Sequence, residues 1–369
     1  MNRSLPSGWE EVKLGDIADI VMGQSPKSKF YNKDNKGLPF LQGSSTFGYI
    51  YPTFNIYSSD IKKVAKSGSI LMSVRAPVGD VNIANTNICI GRGLCAINSN
   101  NKSINNYIFY ILKYYKNKLL NNQKGTTFGA ITKDDIINFN IILPPIDEQK
   151  RISDILSICD KLIENLTKLI EKKELYKKGV MQKILSGKVR FNGFTDKWQS
   201  YKFEDIFIRV AAKKYQINQN EYKEIGKYPV IDQGKKYISA YSDNIDKVFN
   251  NDNVIAFGDH TRIFKYIDFN FIVGADGLQL LKTNKKFNTK FMYYHLSNQY
   301  IPNTGYNRHF KFILDMSFYI PPSIEEQKKI AELLTLIDKD IEILKQLLHL
   351  RKLQKKGVMQ KLLTGEVRV

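Results

Sequence analysis

Residues 179–191 read GVMQKILSGKVRF, and residues 357–369 read GVMQKLLTGEVRV. Nine of the thirteen positions are identical. The likeness extends upstream, to LPPIDEQKRISDIL in the first copy and IPPSIEEQKKIAELL in the second. From Glu148 and Glu326 onward the two copies align without a gap for 44 residues. A fainter repeat opens each half: GWEEVKLGDIADIV from Gly8 resembles KWQSYKFEDIFIRV from Lys197, with Trp9 opposite Trp198. Internal repetition governs the reading of everything else. The chain divides into a globular region (1–145), a helical region (146–191), a second globular region (192–322) and a second helical region (323–369).

The repeated segment is expected to be one long helix. Apolar residues fall at Leu156, Cys159, Ile163, Leu166 and Ile170, and again at Leu334, Ile337, Ile341, Leu344 and Leu348. Alternating steps of three and four make a seam suited to helices packed at a shallow angle. Pro144-Pro145 and Pro321-Pro322 stand just outside the start, where proline is tolerated. Asp147, Glu148, Glu325 and Glu326 complement the dipole of the first turn. Gly187 and Gly365 sit where a helix stops, while Gly179 and Gly357 are internal and suggest a bend. A helix of ~38 residues would be ~57 Å long.

Charge sets the expected direction of pairing. Residues 147–164 hold five acids and three bases, whereas 165–191 hold two acids and eight bases. The second copy has six acids to three bases in 325–342, then one to seven in 343–369. Antiparallel pairing places each acidic start against the other's basic end. The competing arrangement packs each helix on its own globule, and a five-position seam alone also fits an ordinary bundle.

The globular regions read mainly as β. SILMSVRA, DVNIANTNICI and INFNIILPP in the first, and KYPVIDQG, NVIAFGD and DFNFIVGADGLQLLKT in the second, are β-rich runs bounded by Gly, Pro and Asn. Residues 104–122 and 289–301 add short helices. The predicted class is α+β: two mixed, mainly β domains joined by two long helices in an antiparallel coiled coil, a pseudo-two-fold tandem repeat. A globule at each end of such a spacer suits two short sites on a duplex.

Composition narrows the partners. Fifty-six basic residues against 36 acidic give a formal charge of +20. That points to a polyanion, nucleic acid first, although AT-rich codons would also enrich Lys and Asn. Cys89, Cys95 and Cys159 are too few and too oddly spaced for a disulfide framework or a common zinc site. The four histidines form no zinc pattern either. The N-terminus lacks a signal-peptide pattern, and no apolar run approaches a membrane span. A cytoplasmic protein with no membrane partner is expected.

The layout, globule then LPPIDEQKRI-type helix, twice, resembles the DNA-specificity subunit of type I restriction–modification systems. GWEEVKLGDI, SVRAPVGDVNIA, CIGRGLCAI, YPVIDQG, GDHTR, YNRHFKF and both GVMQK modules carry the resemblance, which covers nearly the whole chain. It implies two target-recognition domains, each reading one half of a bipartite, asymmetric site in double-stranded DNA. It also implies docking of two modification (methyltransferase) subunits and of ATP-dependent restriction subunits. The GVMQK repeat would then mark two equivalent docking surfaces, at Val180, Met181, Gln182, Val358, Met359 and Gln360. The two globules are barely alike beyond their openings, so roles in one are not transferred to the other.

Polar loop residues beside glycine, and side chains able to make bidentate contacts in the major groove, supply the DNA-binding candidates. In the first domain these are Gln42, Ser44, Ser45, Arg75, Lys124, Thr126 and Thr127. In the second they are Asp232, Gln233, His260, Thr261, Arg262, Arg308, His309 and Lys311. Each could equally be a solvated or turn-forming side chain.

No catalytic set is expected. The Pro-Pro pairs lack the amide or acid before and the aromatic after that would hold a target adenine. Phosphate-binding GKT-type loops are absent. Asp259, Asp276 and nearby lysines lack nuclease spacing. S-adenosylmethionine, ATP and Mg²⁺ would therefore be bound by partner subunits, and the chain itself would carry no metal or cofactor. Two alternatives stay open: a repressor-like bipartite DNA binder without enzyme partners, and a noncanonical nuclease.

Overall fold

The two repeated segments form continuous helices, Ile146–Ile184 of 39 residues and Ile324–Leu363 of 40. In this computed structural model, residues 5–121, 130–250, 253–305 and 307–369 are described. Gly179 and Gly357 do not break the helices, and a Cβ built at either would meet nothing within 4 Å. The chain forms two compact units that do not follow chain order. One comprises Met1–Lys168 with Gln346–Val369, and the other Leu169–Lys345. Each unit thus joins one globular domain to the start of one long helix and the end of the other.

Within each unit the helix segments run antiparallel. In the first, Glu148 near the start of one helix bonds Arg368 beyond the end of the other, and Asp160 is bonded to Lys355. In the second, Lys173 meets Asp340 at 3.2 Å, Lys177 meets Asp338 at 2.5 Å and Lys345 meets Glu174 at 2.6 Å. The expected charge complementarity is therefore realised. The three partly exposed pairs of the second unit contribute ~0.2–1 kcal/mol each, less than the ~1.5–3 kcal/mol of a fully buried aliphatic side chain. Apolar burial supplies the larger stabilisation, and charge favours the direction. Along the seam Leu156, Ile163, Ile170, Leu334, Ile337 and Ile341 are buried, while Cys159, Leu166, Leu344 and Leu348 are half-buried.

The opening repeat now has a structural account. Ile184 and Leu185, and their counterparts Leu362 and Leu363, are buried in the cores of the two units. Gly187 (φ +72°) and Gly365 (φ +68°) then turn the chain through left-handed backbone. A Cβ at Gly365 would lie 2.5 Å from Pro6 Cγ, so the turn is sterically closed as well. The turn delivers an arginine back to the globule. Arg190 donates Nε and Nη2 to the two oxygens of Glu326, both at 2.8 Å. Arg368 does the same to Glu148, at 2.7 and 2.8 Å. Fork-to-carboxylate geometry makes these strong, directional links. The neighbouring glutamine ties the helix start to its domain. Gln149 donates to the Pro144 carbonyl at 2.8 Å and accepts from Ile104 N, and Gln327 does likewise with Pro321 and Asn288. The repeated EQ and R are two halves of one clasp, written at opposite ends of each copy.

That packing changes the reading of GVMQK. Met181 is buried in the second core, and Val180, Val358 and Met359 pack against the two cores. Val180, Val358 and Met359 are half-buried, so each divides its surface between its core and the outside. Gln182 and Gln360 are exposed.

The globular domains share one topology despite their dissimilar sequences. In the first, Glu10–Lys13 pairs with Asn140–Leu143, and a four-stranded sheet orders Ala18–Met22, Leu94–Ser99, Ile70–Ser73 and Val81–Ile83. In the second, Gln199–Lys202 pairs with Ser317–Ile320, and the matching sheet orders Phe207–Val210, Leu278–Thr283, Val254–Gly258 and Phe264–Ile267. Each domain adds a sheet containing one parallel pair: Leu38–Leu41 with Ile88–Ile90, and Tyr228–Ile231 with Phe271–Val273. A helix caps each core, Asn105–Tyr114 and Thr289–Ser297. Roles can thus be compared by register where sequence alone offered no alignment.

Candidate nucleic-acid interface

Each domain gathers polar residues where its parallel strand pair ends beside the four-stranded sheet. In the second domain the strand Tyr228–Ile231 runs into Asp232, Gln233 and Gly234. Gln233 holds three loops together. Its Nε2 donates to the Asp276 carbonyl at 3.0 Å, its Oε1 accepts from His260 N at 3.2 Å, and its carbonyl accepts from Thr261 Oγ1 at 2.6 Å. Gly258 must be glycine for this closeness, since a Cβ there would sit 2.2 Å from Thr261 Oγ1. Asp232 accepts from Gly234 N at 2.8 Å and from the Ser239 hydroxyl. Lys265, almost wholly buried, donates Nζ to the Asp232 carbonyl at 2.8 Å. Burial lowers its pKa, and the charge of Asp232 opposes that shift.

Several candidates are thereby committed to holding the loops. Asp232, Gln233 and Thr261 have bonding atoms engaged within the domain. His309 is fully buried, its Nδ1 against the Asp259 carbonyl at 2.8 Å. Arg262 adopts φ +61°, donates Nη1 to the Ile301 carbonyl at 3.0 Å and buries its Nε. One arm of its guanidinium is thereby engaged within the domain. Polar residues beside glycine suit loop clamps as well as they suit readers, and the sequence does not separate the two. His260 is half-buried, with its backbone N–H in the Gln233 clamp. Arg308 and Lys311 are exposed.

The first domain places its candidates in equivalent loops. Gln42, exposed after Leu38–Leu41, accepts from Ser25 Oγ at 2.7 Å, and Ser25 Oγ in turn accepts from Arg92 N at 3.1 Å. Ser44 and Ser45 form a single helical turn just beyond. Arg75 is exposed two residues after Ile70–Ser73. By register Ser73 matches Gly258, each opposite the first residue of its neighbour in the sheet (Leu94 and Leu278), so Arg75 corresponds to His260. Lys124, Thr126 and Thr127 lie outside the described residues.

A cleft of about 1000 Å³ in the second domain brings the candidate Arg308 together with residues that sequence reasoning did not select. One wall is 209–219 and the other is 275–279, with Arg308 at the rim. Arg209 donates Nη2 to Gln279 Oε1 at 3.4 Å and lies 4.9 Å from the centre of the Phe310 ring. Lys213, Gln216, Asn218, Gln219 and Asp276 complete a strongly polar lining. Among the described residues, no group of three or more His, Cys, Asp or Glu is placed to hold a metal ion. Among the same residues no helix is long and apolar enough to cross a membrane.

Comparison with known proteins agrees with this architecture. The family described as the type I restriction modification DNA specificity domain matches residues 6–174 and 195–350. The putative type I restriction enzyme MjaX specificity subunit of Methanocaldococcus jannaschii is 48% identical over 189 residues, 50% of this chain and 44% of that one. The chain therefore spans less than half of that relative's length. The MjaVIII specificity subunit of the same organism is 26% identical across 99% of this chain and 94% of its own. A crystal structure of a type I restriction–modification S subunit from M. genitalium shares the fold, with a TM-score of 0.69 over 98% of this chain and 97% of that one at 17% identity. The chain belongs to the type I restriction–modification DNA specificity family, and carries two of the family's domains in tandem.

Proposed function

We propose that the chain is a non-catalytic specificity subunit. Each globular domain reads one half of a bipartite, asymmetric site in double-stranded DNA. The helical frame docks two modification subunits, and restriction subunits join that assembly. S-adenosylmethionine, ATP and Mg²⁺ are held by those partners, and the complex works in the cytoplasm. The observation that carries this reading is one scaffold used twice, with unlike polar residues in equivalent loops. A duplicated fold with diverged loops is what two different half-sites require. The charge of +20 supplies the attraction to phosphate. Gln182 and Gln360, exposed at matched positions of the two helices, fit equivalent docking points. Family membership disfavours both the repressor-like and the nuclease reading.

The test is methyl transfer. Purified chain with S-adenosylmethionine and duplex DNA transfers no methyl groups, and adding the cognate modification subunit yields methylation at one split sequence. Methylation or cleavage by the chain alone contradicts the reading.

A further inference from the structure

We infer that the cleft between 209–219 and 275–279 is where the second domain reads base edges, with Arg209 and Gln279 as its specificity-determining pair. This rests on the proposal that the chain reads DNA, and it assigns the reading to residues outside the loop-clamp set. Three features set Arg209 apart from the other exposed cations.

First, its guanidinium is oriented before any ligand arrives. Phe310 supports it from below, and Gln279 Oε1 accepts from Nη2. A phosphate contact needs only charge, whereas reading a base requires a fork fixed in direction. Second, Gln279 Oε1 accepts from Nη2 at 3.4 Å, which leaves the Nε2 donors of the amide for another acceptor. Arginine and a terminal amide are the side-chain types that read guanine and adenine edges in the major groove. Gln216, Asn218, Gln219 and Asp276 line the same cleft, and Lys213 and Arg308 add two cations to it.

Third, the first domain shows what the scaffold alone needs at these positions. By register Arg209 faces Leu281, as Ile20 faces Ile97. Gln279 faces Phe257, as Cys95 faces Met72. The same two places thus hold Ile20 and Cys95 in the first domain, both buried. The fold is satisfied by apolar residues there, so the Arg–Gln pair serves something other than folding.

The experiment is selection from a randomised duplex pool with the full chain, for the native sequence and for Arg209→Lys, Gln279→Ala and Arg308→Gln. Arg209→Lys keeps the charge and loses the fork. It is expected to lower discrimination at one base pair of one half-site by roughly 5- to 150-fold. Gln279→Ala is expected to relax the same or the adjacent position. Arg308→Gln weakens binding to all sequences alike and flattens its salt dependence. A native chain that selects a split site, with unchanged preferences in Arg209→Lys and Gln279→Ala, overturns the cleft assignment and leaves the proposed function standing. A native chain that selects no split site overturns the proposed function itself. Loss of the whole second half-site in Arg209→Lys, with a lowered melting temperature, marks a structural arginine and overturns the assignment too.

Discussion

The two clasps use the same residue types and differ in how deeply they are set. In the first unit Glu148 receives Arg368 and also Trp9 Nε1, at 3.0 Å. In the second, Glu326 receives Arg190, while Trp198 Nε1 is buried with no hydrogen-bond partner. The second layer differs as well. Asp160, fully buried, is held by Tyr110 at 2.8 Å and by Lys355, whose side chain is 9% exposed. Its counterpart Asp338 is held by Tyr294 at 2.8 Å and Lys177, with side chains 36% and 24% exposed. Identical motifs therefore carry unequal weight, because the cost of losing a partner rises with burial.

The largest expected contrast follows directly. Lys355→Met strands the Asp160 carboxylate in the core and is expected to cost ~3–5 kcal/mol. Lys177→Met leaves Asp338 partly hydrated and is expected to cost under ~1 kcal/mol. Urea unfolding of the full chain measures both, and equal effects would break the comparison.

A second contrast concerns acid. Burial lowers the pKa of His295 to about 4, while the backbone at Tyr319 opposes the shift. The matching position in the first domain is Ile111, also one residue after the clasp tyrosine. Between pH ~6.5 and 4 the unfolded chain binds a proton that the folded chain rejects, so stability falls as pH drops through that window. The expected loss is up to ~3 kcal/mol. His295→Ile should remove it, as unfolding measured at pH 7 and pH 4.5 will show.

Smaller effects separate the tryptophans. Trp9→Phe deletes a bond to a carboxylate and is expected to cost about 1–2 kcal/mol beyond packing. Trp198→Phe deletes a buried N–H that has no acceptor among the described residues, so a smaller cost is expected. Glu148 adds a pH signature. Burial raises its pKa, but the Arg368 and Trp9 bonds outweigh that and hold it below the usual value. Its contribution is present above the ordinary carboxylate range and is lost as pH falls through its lowered value. Glu148→Gln should flatten the acid limb of the stability profile.

The helical frame was legible because a gapless repeat with a 3–4 seam leaves little freedom, and the charge asymmetry chose the antiparallel direction. The clasp was not. Arg190 and Arg368 stood in the repeated stretch, but their partners lie 136 and 220 positions away in sequence. The shared topology of the domains was hidden as well, since strand pairing constrains only which positions are buried. Arg209 escaped notice inside FEDIFIRV, an ordinary strand by composition. A signal was present, though: aligning the two openings on Trp9 and Trp198 sets Arg209 against Ile20, a charge replacing an apolar residue within a strand. Asp232, Gln233 and His309 stood out by their glycine-rich or cationic surroundings, and their hydrogen bonds within the domain were not legible there.

The central claim is that one scaffold, used twice, reads two different half-sites through side chains that differ between the two domains. It is tested most directly by making the two domains the same. Residues 14–139 can be replaced by residues 203–316, leaving the matched edge strands Glu10–Lys13 and Asn140–Leu143 and both long helices in place. The site methylated by this chain with its modification subunit is then mapped. The account predicts two copies of the second domain's half-site. An unchanged asymmetric site, or one that keeps the first half-site's sequence, would contradict it.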